Sequence, residues 1–130
     1  MKTEIILGAL AYIIPTFALA YFWHLKWFKE LYEKWDYAGG DPNIPLGFLT
    51  IVIQGIVLSA LYSWAPIEHT LLAAAVLFIG TLAILHWSVH VVAAMAKGPK
   101  MRNWHFFGLE TFYLVLQFGI FATLISSVVY

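Results

Sequence analysis

Four runs of apolar sequence dominate this chain, at about residues 4–25, 46–64, 69–95 and 104–129. Each is long enough to cross a bilayer core, which takes about 20 apolar residues in a helix. Within that core no water satisfies the backbone, so a spanning segment must pair its own N–H and C=O groups, as a helix does. The expectation is therefore an all-α integral membrane protein: one domain over residues 1–130, built as an antiparallel up-down four-helix bundle with short loops. Composition points the same way. The chain is 62% hydrophobic and 11% charged, against roughly 25% charged in a soluble domain.

The connections are read from turn residues. Gly39-Gly40-Asp41-Pro42 and Pro45 make a loop before the second run. Trp64-Ala65-Pro66 makes a tight connection, which predicts that the second and third spans are neighbours. Lys97-Gly98-Pro99-Lys100 makes a basic turn before the fourth. Pro15 falls inside the first run and predicts a kink there. Gly55 and Ser59 form a small-xxx-small pair suited to close helix approach.

The first helix is expected to continue past the membrane to about residue 37. Trp27, Phe28, Leu31, Tyr32 and Trp35 recur at helical spacing, with Lys26, Lys29, Glu30, Glu33 and Lys34 on the other face. Such a cytoplasmic amphipathic segment lies against headgroups or offers a docking face.

Of the seven Lys and Arg residues, all but Lys2 lie in the two connections after the first and third runs. By the positive-inside rule these connections are cytoplasmic and both termini extracytoplasmic, in a bacterial inner membrane. No cleavable signal is expected at the N-terminus. A formal net charge of zero argues against nucleic acid as a partner. With no cysteine, disulfides, iron–sulfur ligation and thiol catalysis are excluded from within this chain.

Polar side chains within the apolar runs carry the functional information, because each costs free energy unless it is partnered. His86 and His90, four residues apart, share one helix face. At about 1.5 Å per residue, His90 and Glu110 lie at similar depth, His86 one turn deeper and Gln54 near mid-membrane. Gln117, seven residues after Glu110, faces nearly the same way. His24 sits near the cytoplasmic interface, and the opposite half of the runs is almost purely apolar.

Three readings of these groups stay open. One is a purely structural network of His24, Gln54, Gln117 and their neighbours, whose interhelical contacts average about 0.6 kcal/mol each. The second is a divalent metal held by His86, His90 and Glu110, a two-His-one-carboxylate set. The third is a proton relay or quinone pocket built on a His–Glu pair. Haem is disfavoured, because axial ligands must oppose one another and His86 and His90 share a face.

The pieces Tyr21-Phe22-Trp23-His24-Leu25, Ile44-Pro45-Leu46-Gly47, Ile53-Gln54-Gly55 and Glu110-Thr111 with Gln117-Phe118 resemble a family of small bacterial four-span membrane proteins of unknown function. The resemblance implies the same fold and implies that His24, Gln54, Glu110 and Gln117 are recurring polar positions. It implies no activity, and the His86/His90 pair is not part of its pattern.

No catalytic motif is present. The functional expectation is an accessory or assembly subunit that contacts the lipid bilayer and packs against a larger complex or another copy of itself. The alternative is a metal-binding or redox/proton-relay protein using His86, His90 and Glu110.

Overall fold

The computed structural model describes residues 2–130, and every regular element in them is helical. Four helices are long and apolar enough to span a membrane: Lys2–Trp27, Ile44–Trp64, Leu71–Lys97 and Trp104–Val129. We call these the first to fourth spans. A short helix, Lys29–Lys34, follows the first span.

Three of the starts are set by capping. Asn43 accepts a hydrogen bond from the Leu46 amide (3.1 Å), Thr70 from Ala73 (3.1 Å) and Asn103 from Phe106 (2.7 Å). Each satisfies an amide that the helix itself leaves open. The third span is closed at its far end by Arg102, whose guanidinium donates to the carbonyls of Met95 (2.7 Å) and Ala96 (2.8 Å).

Regular α-helix continues through Pro15, over Lys2–Phe22. The departure comes later, as a π-helical turn at Trp23–Trp27. The third span contains two more such turns, Phe78–Leu82 and Ser88–Ala93, and the fourth ends in one at Ile125–Val129. A π turn widens the helix by one residue and re-aims the side chains it carries; such turns concentrate at functional sites. His24 and His90 both lie on one.

The fourth span is the hub. Phe106, Glu110, Tyr113, Gln117, Phe121 and Ile125 recur at helical spacing and are all buried. The first and third spans pack against it, and the second packs mainly against the first. Gly55 and Ser59 lie at that last contact. Ser59 Oγ donates to the Ile5 carbonyl (2.8 Å), and a Cβ on Gly55 would stand 2.8 Å from the Ile13 side chain and 3.1 Å from the Ala9 carbonyl. The small-xxx-small pair thus serves the first span's approach.

The second and third spans, expected as neighbours, touch near their short connection, where the Tyr62 and Phe78 rings are 5.4 Å apart. They do not pack along their lengths, and residues 44–50 of the second span are all exposed. Space is left between them.

The stripe after the first span turns inward. Trp35 packs edge-on against Phe106 (5.4 Å) and His105 (5.3 Å), and Tyr32 against Trp35 (5.4 Å). Tyr32 and Trp35 are 4% and 5% exposed, against 64% for Trp27. Positive φ angles at Asp36 (53°), Gly39 (67°) and Gly40 (139°) then reverse the chain. Asp tolerates this left-handed conformation better than most residues, and glycine adopts it freely.

Candidate functional site: a buried carboxylate and its partners

Glu110 is fully buried on the fourth span, so its carboxylate must find every partner inside the protein. His24 supplies the first. Its Nε2 lies 3.2 Å from both carboxylate oxygens, while its Nδ1 faces the Ala20 carbonyl at 3.0 Å. A carbonyl only accepts, so Nδ1 carries a hydrogen. Nε2 and the carboxylate therefore share one further proton: either the imidazole holds it as an ion pair, or the carboxyl does and both groups are neutral.

Two tyrosines complete the shell. The Tyr32 hydroxyl donates to Oε2 at 2.5 Å and accepts from Trp23 Nε1 at 2.9 Å. The Tyr37 hydroxyl lies 3.3 Å from Oε1 and 2.8 Å from His90 Nε2. It has one hydrogen and two neighbours able to accept it. When it donates to Glu110 it accepts from His90 Nε2–H; when it donates to His90, that nitrogen is bare. Burial and the nearby Glu110 charge hold both phenols well above their ordinary pKa, so they act as neutral donors.

Ring contacts hold the parts in register. Tyr37 stacks on His24, with centroids 5.3 Å apart and planes 6° from parallel. Tyr113 meets His24 edge-on at 4.6 Å. His90 lies 3.9 Å from Glu110 Oε1 and stacks on His86 at 4.7 Å.

Among the sequence-predicted residues, His24, His90 and Glu110 thus converge directly, and His86 joins only through the His90 ring. Among the described residues, no group of three or more His, Asp or Glu is arranged to hold a metal ion. The carboxylate is occupied by His24 and the two tyrosines instead. Gln54 and Gln117 form a separate knot: Gln117 Nε2 donates to the Tyr12 hydroxyl, which donates to Gln54 Oε1, each at 2.7 Å. His69 stacks on Tyr130 at 4.2 Å and donates to the Tyr62 carbonyl at 2.9 Å.

Sequence reasoning missed Tyr12, Tyr32, Tyr37 and Tyr113. A usable signal exists for Tyr12 and Tyr113, which lie about equally deep in the first and fourth spans. A tyrosine deep in a span, away from the aromatic belts, needs a partner for its hydroxyl. Tyr32 sat within an amphipathic stripe, and Tyr37 is delivered by a chain reversal that spacing does not reveal.

Two cavities meet at this centre. A cleft of about 270 Å³ is lined by all four spans, including His86 and His90, Gln54, and Tyr113. A basin of about 560 Å³ is lined by the loop and by charged groups, among them Lys26, Lys29, Glu33 and Asp41. His24 and Tyr37 line both. Comparison with protein-family models, characterised proteins and solved structures finds no match, so the geometry of this centre carries the functional reading.

Proposed function

We propose that this protein is a proton-relay protein of the plasma membrane that passes protons between the charged basin and the membrane-embedded cleft. The route is the shared proton of His24 and Glu110, then the Tyr37 hydroxyl, then His90. The observation that carries this reading is the position of Tyr37, whose one hydroxyl reaches both His90 at 2.8 Å and Glu110 at 3.3 Å. Reorienting one O–H bond changes which of them it serves, with no movement of backbone.

The relay sits in an up-down bundle with the basin in the cytoplasm and both termini outside. The pairs Ser59–Ile5, Gln54–Tyr12 and Phe48–Phe17 support opposed first and second spans, because one number falls as the other rises. Lys26 and Lys29 at the basin support its cytoplasmic placement. Among the described residues the opposite half of the spans carries no such chain of titratable groups, so the route ends in the cleft and does not cross the bilayer.

An accessory or assembly role is the second reading. It draws on the second span, where Leu46, Phe48, Leu49, Ile53 and Val57 are all exposed. Lipid covers such a face as well as a partner does, and the aromatic stripe that suggested docking is largely turned inward, so the relay reading stands first.

The test is the histidine titration followed by NMR of ring-labelled protein in nanodiscs. With Tyr37 present, His90 and Glu110 share one hydroxyl bridge, so each responds to the protonation of the other. Tyr37→Phe keeps the ring stack and removes the shared hydroxyl, so the response of the His90 ring to Glu110→Gln should shrink to the through-space effect of a carboxylate 3.9 Å away. An unchanged His90 titration in Tyr37→Phe sinks the relay.

A further inference from the structure

The cleft has features that the relay alone does not use. Its lining contains no Lys, Arg, Asp or Glu. Polar capacity is nonetheless open on three different spans. Among the described residues, neither ring nitrogen of His86 and no partner of the Tyr113 hydroxyl is engaged in a hydrogen bond, and the Gln54 amide uses only its oxygen, toward Tyr12. All three residues line the cleft. Unused hydrogen-bonding groups are costly at membrane depth, and they mark where a polar guest is received.

We infer that the cleft binds the ring of a neutral, tailed quinone. Charge selects the head: with no ionic side chain in the lining, a phosphate or ammonium headgroup would enter uncompensated. Hydrogen bonding selects a ring that carries more than one oxygen, because His86 on the third span, Gln54 on the second and Tyr113 on the fourth all line the cleft with unused hydrogen-bonding capacity. Size limits what enters. About 270 Å³ holds one substituted six-membered ring but not its tail, being roughly nine times the 30 Å³ share of a water molecule. The tail leaves between the second and third spans, which do not pack along their lengths.

The choice of a quinone over another neutral lipid rests on the relay reading, since the ring would lie beside His86, stacked on His90 at the relay's end. Quinone oxygens take up protons as an external two-electron donor reduces the ring to the quinol and release them on reoxidation, so the inference concerns binding beside the relay and no electron transfer by this chain. Glu110 does not line the cleft, so binding and relay are separable.

The experiment measures equilibrium binding of decyl-ubiquinone to the protein in nanodiscs made from a neutral lipid, with empty nanodiscs as the blank. Saturable binding of one ring per chain is expected. It should weaken about tenfold in His86→Ala and about fivefold in Tyr113→Phe, each the loss expected of one or two hydrogen bonds. It should be unchanged in His69→Ala at the far end. Thermal unfolding of each variant, matched to the parent, separates lost binding from lost fold. Partition no greater than into empty nanodiscs overturns the inference, as does saturable binding indifferent to both His86→Ala and Tyr113→Phe. Competition by phosphatidylglycerol but not by a second quinone overturns it too. If binding fails while Tyr37→Phe still shrinks the response of His90 to Glu110→Gln, the ligand is wrong and the relay survives. If the ring binds while Tyr37→Phe changes no titration, the relay is wrong.

Discussion

His24 and Glu110 are 86 positions apart in sequence, and a single ring nitrogen of the one lies 3.2 Å from both carboxylate oxygens of the other. The pair ties the π turn at the end of the first span to the first third of the fourth. Symmetric placement over both oxygens suits a proton that either partner can hold. It also makes the carboxylate a structural keystone, because Tyr32 and Tyr37 converge on the same two atoms.

Removing that carboxylate should therefore destabilise the bundle. Glu110→Ala leaves His24, Tyr32 and Tyr37 without their common acceptor, and breaking a buried pair in this way costs about 3–5 kcal/mol. Glu110→Gln preserves shape and one acceptor oxygen for Tyr32, so its cost should be smaller. Unfolding in graded denaturing detergent ranks the two. Equal stabilities for the parent and Glu110→Ala would show that the pair holds nothing together.

Alkaline conditions probe the two phenols. The folded-state pKa of Tyr32 and of Tyr37 is raised, by burial first and by the Glu110 charge second. The unfolded value is about 10. A raised value means that the stabilisation is fully present below the unfolded pKa and falls as pH rises beyond it, because only the unfolded chain then ionises freely. Stability should thus be flat approaching pH 10 and decline above it. The double variant Tyr32→Phe/Tyr37→Phe, though less stable overall, should show a shallower decline. An identical slope in parent and double variant would refute the assignment.

Much of the architecture is legible in the sequence, because membrane spans obey a composition rule that needs no tertiary knowledge. The four apolar runs, the loop before the second span, the Gly55/Ser59 contact and the depth match of Glu110 with His90 follow from length, turn chemistry and helical spacing. The site is less legible for three physical reasons. The π turns at Trp23–Trp27 and Ser88–Ala93 shift the faces that an ideal helix assigns to His24 and His90. The inward turn of Tyr32 and Trp35 depends on the fourth span being there to receive them. And the Asp36 reversal that lays Tyr37 over His24 is a tertiary event, whose only trace in the sequence is the glycine pair Gly39-Gly40, three residues later.

Close approach of the first and second spans gives a contrast between two glycines of one helix. At Gly55 a methyl group would stand 2.8 Å from the Ile13 side chain and 3.1 Å from the Ala9 carbonyl, a backbone atom that cannot swing away. At Gly47 it would meet nothing within 4 Å. Gly55→Ala should cost about 1–3 kcal/mol through overpacking. Gly47→Ala should be neutral or stabilise by up to about 1 kcal/mol through helix propensity. Thermal unfolding in detergent micelles reads both. A Gly55→Ala variant as stable as Gly47→Ala would place the two spans further apart than the Ser59–Ile5 hydrogen bond requires.

The orientation of the bundle fixes which compartment supplies the relay, and it can be tested without knowing what the protein binds. Lys26 and Lys29 line the basin, and Lys100 and Arg102 lie in the connection before the fourth span. Basic residues are retained on the cytoplasmic side, so the basin should open there and Thr3 should face outside. Single cysteines replace exposed residues in an otherwise cysteine-free chain: Thr3→Cys, Asp41→Cys and Lys100→Cys. Gly40 is avoided because its φ of 139° would strain any side chain. In intact cells an impermeant thiol reagent should label Thr3→Cys and spare the other two, and after permeabilisation all three should react. Labelling of Asp41→Cys in sealed cells would put the basin outside the cell. The relay would then draw its protons from the extracytoplasmic side, with the same residues working in the opposite direction.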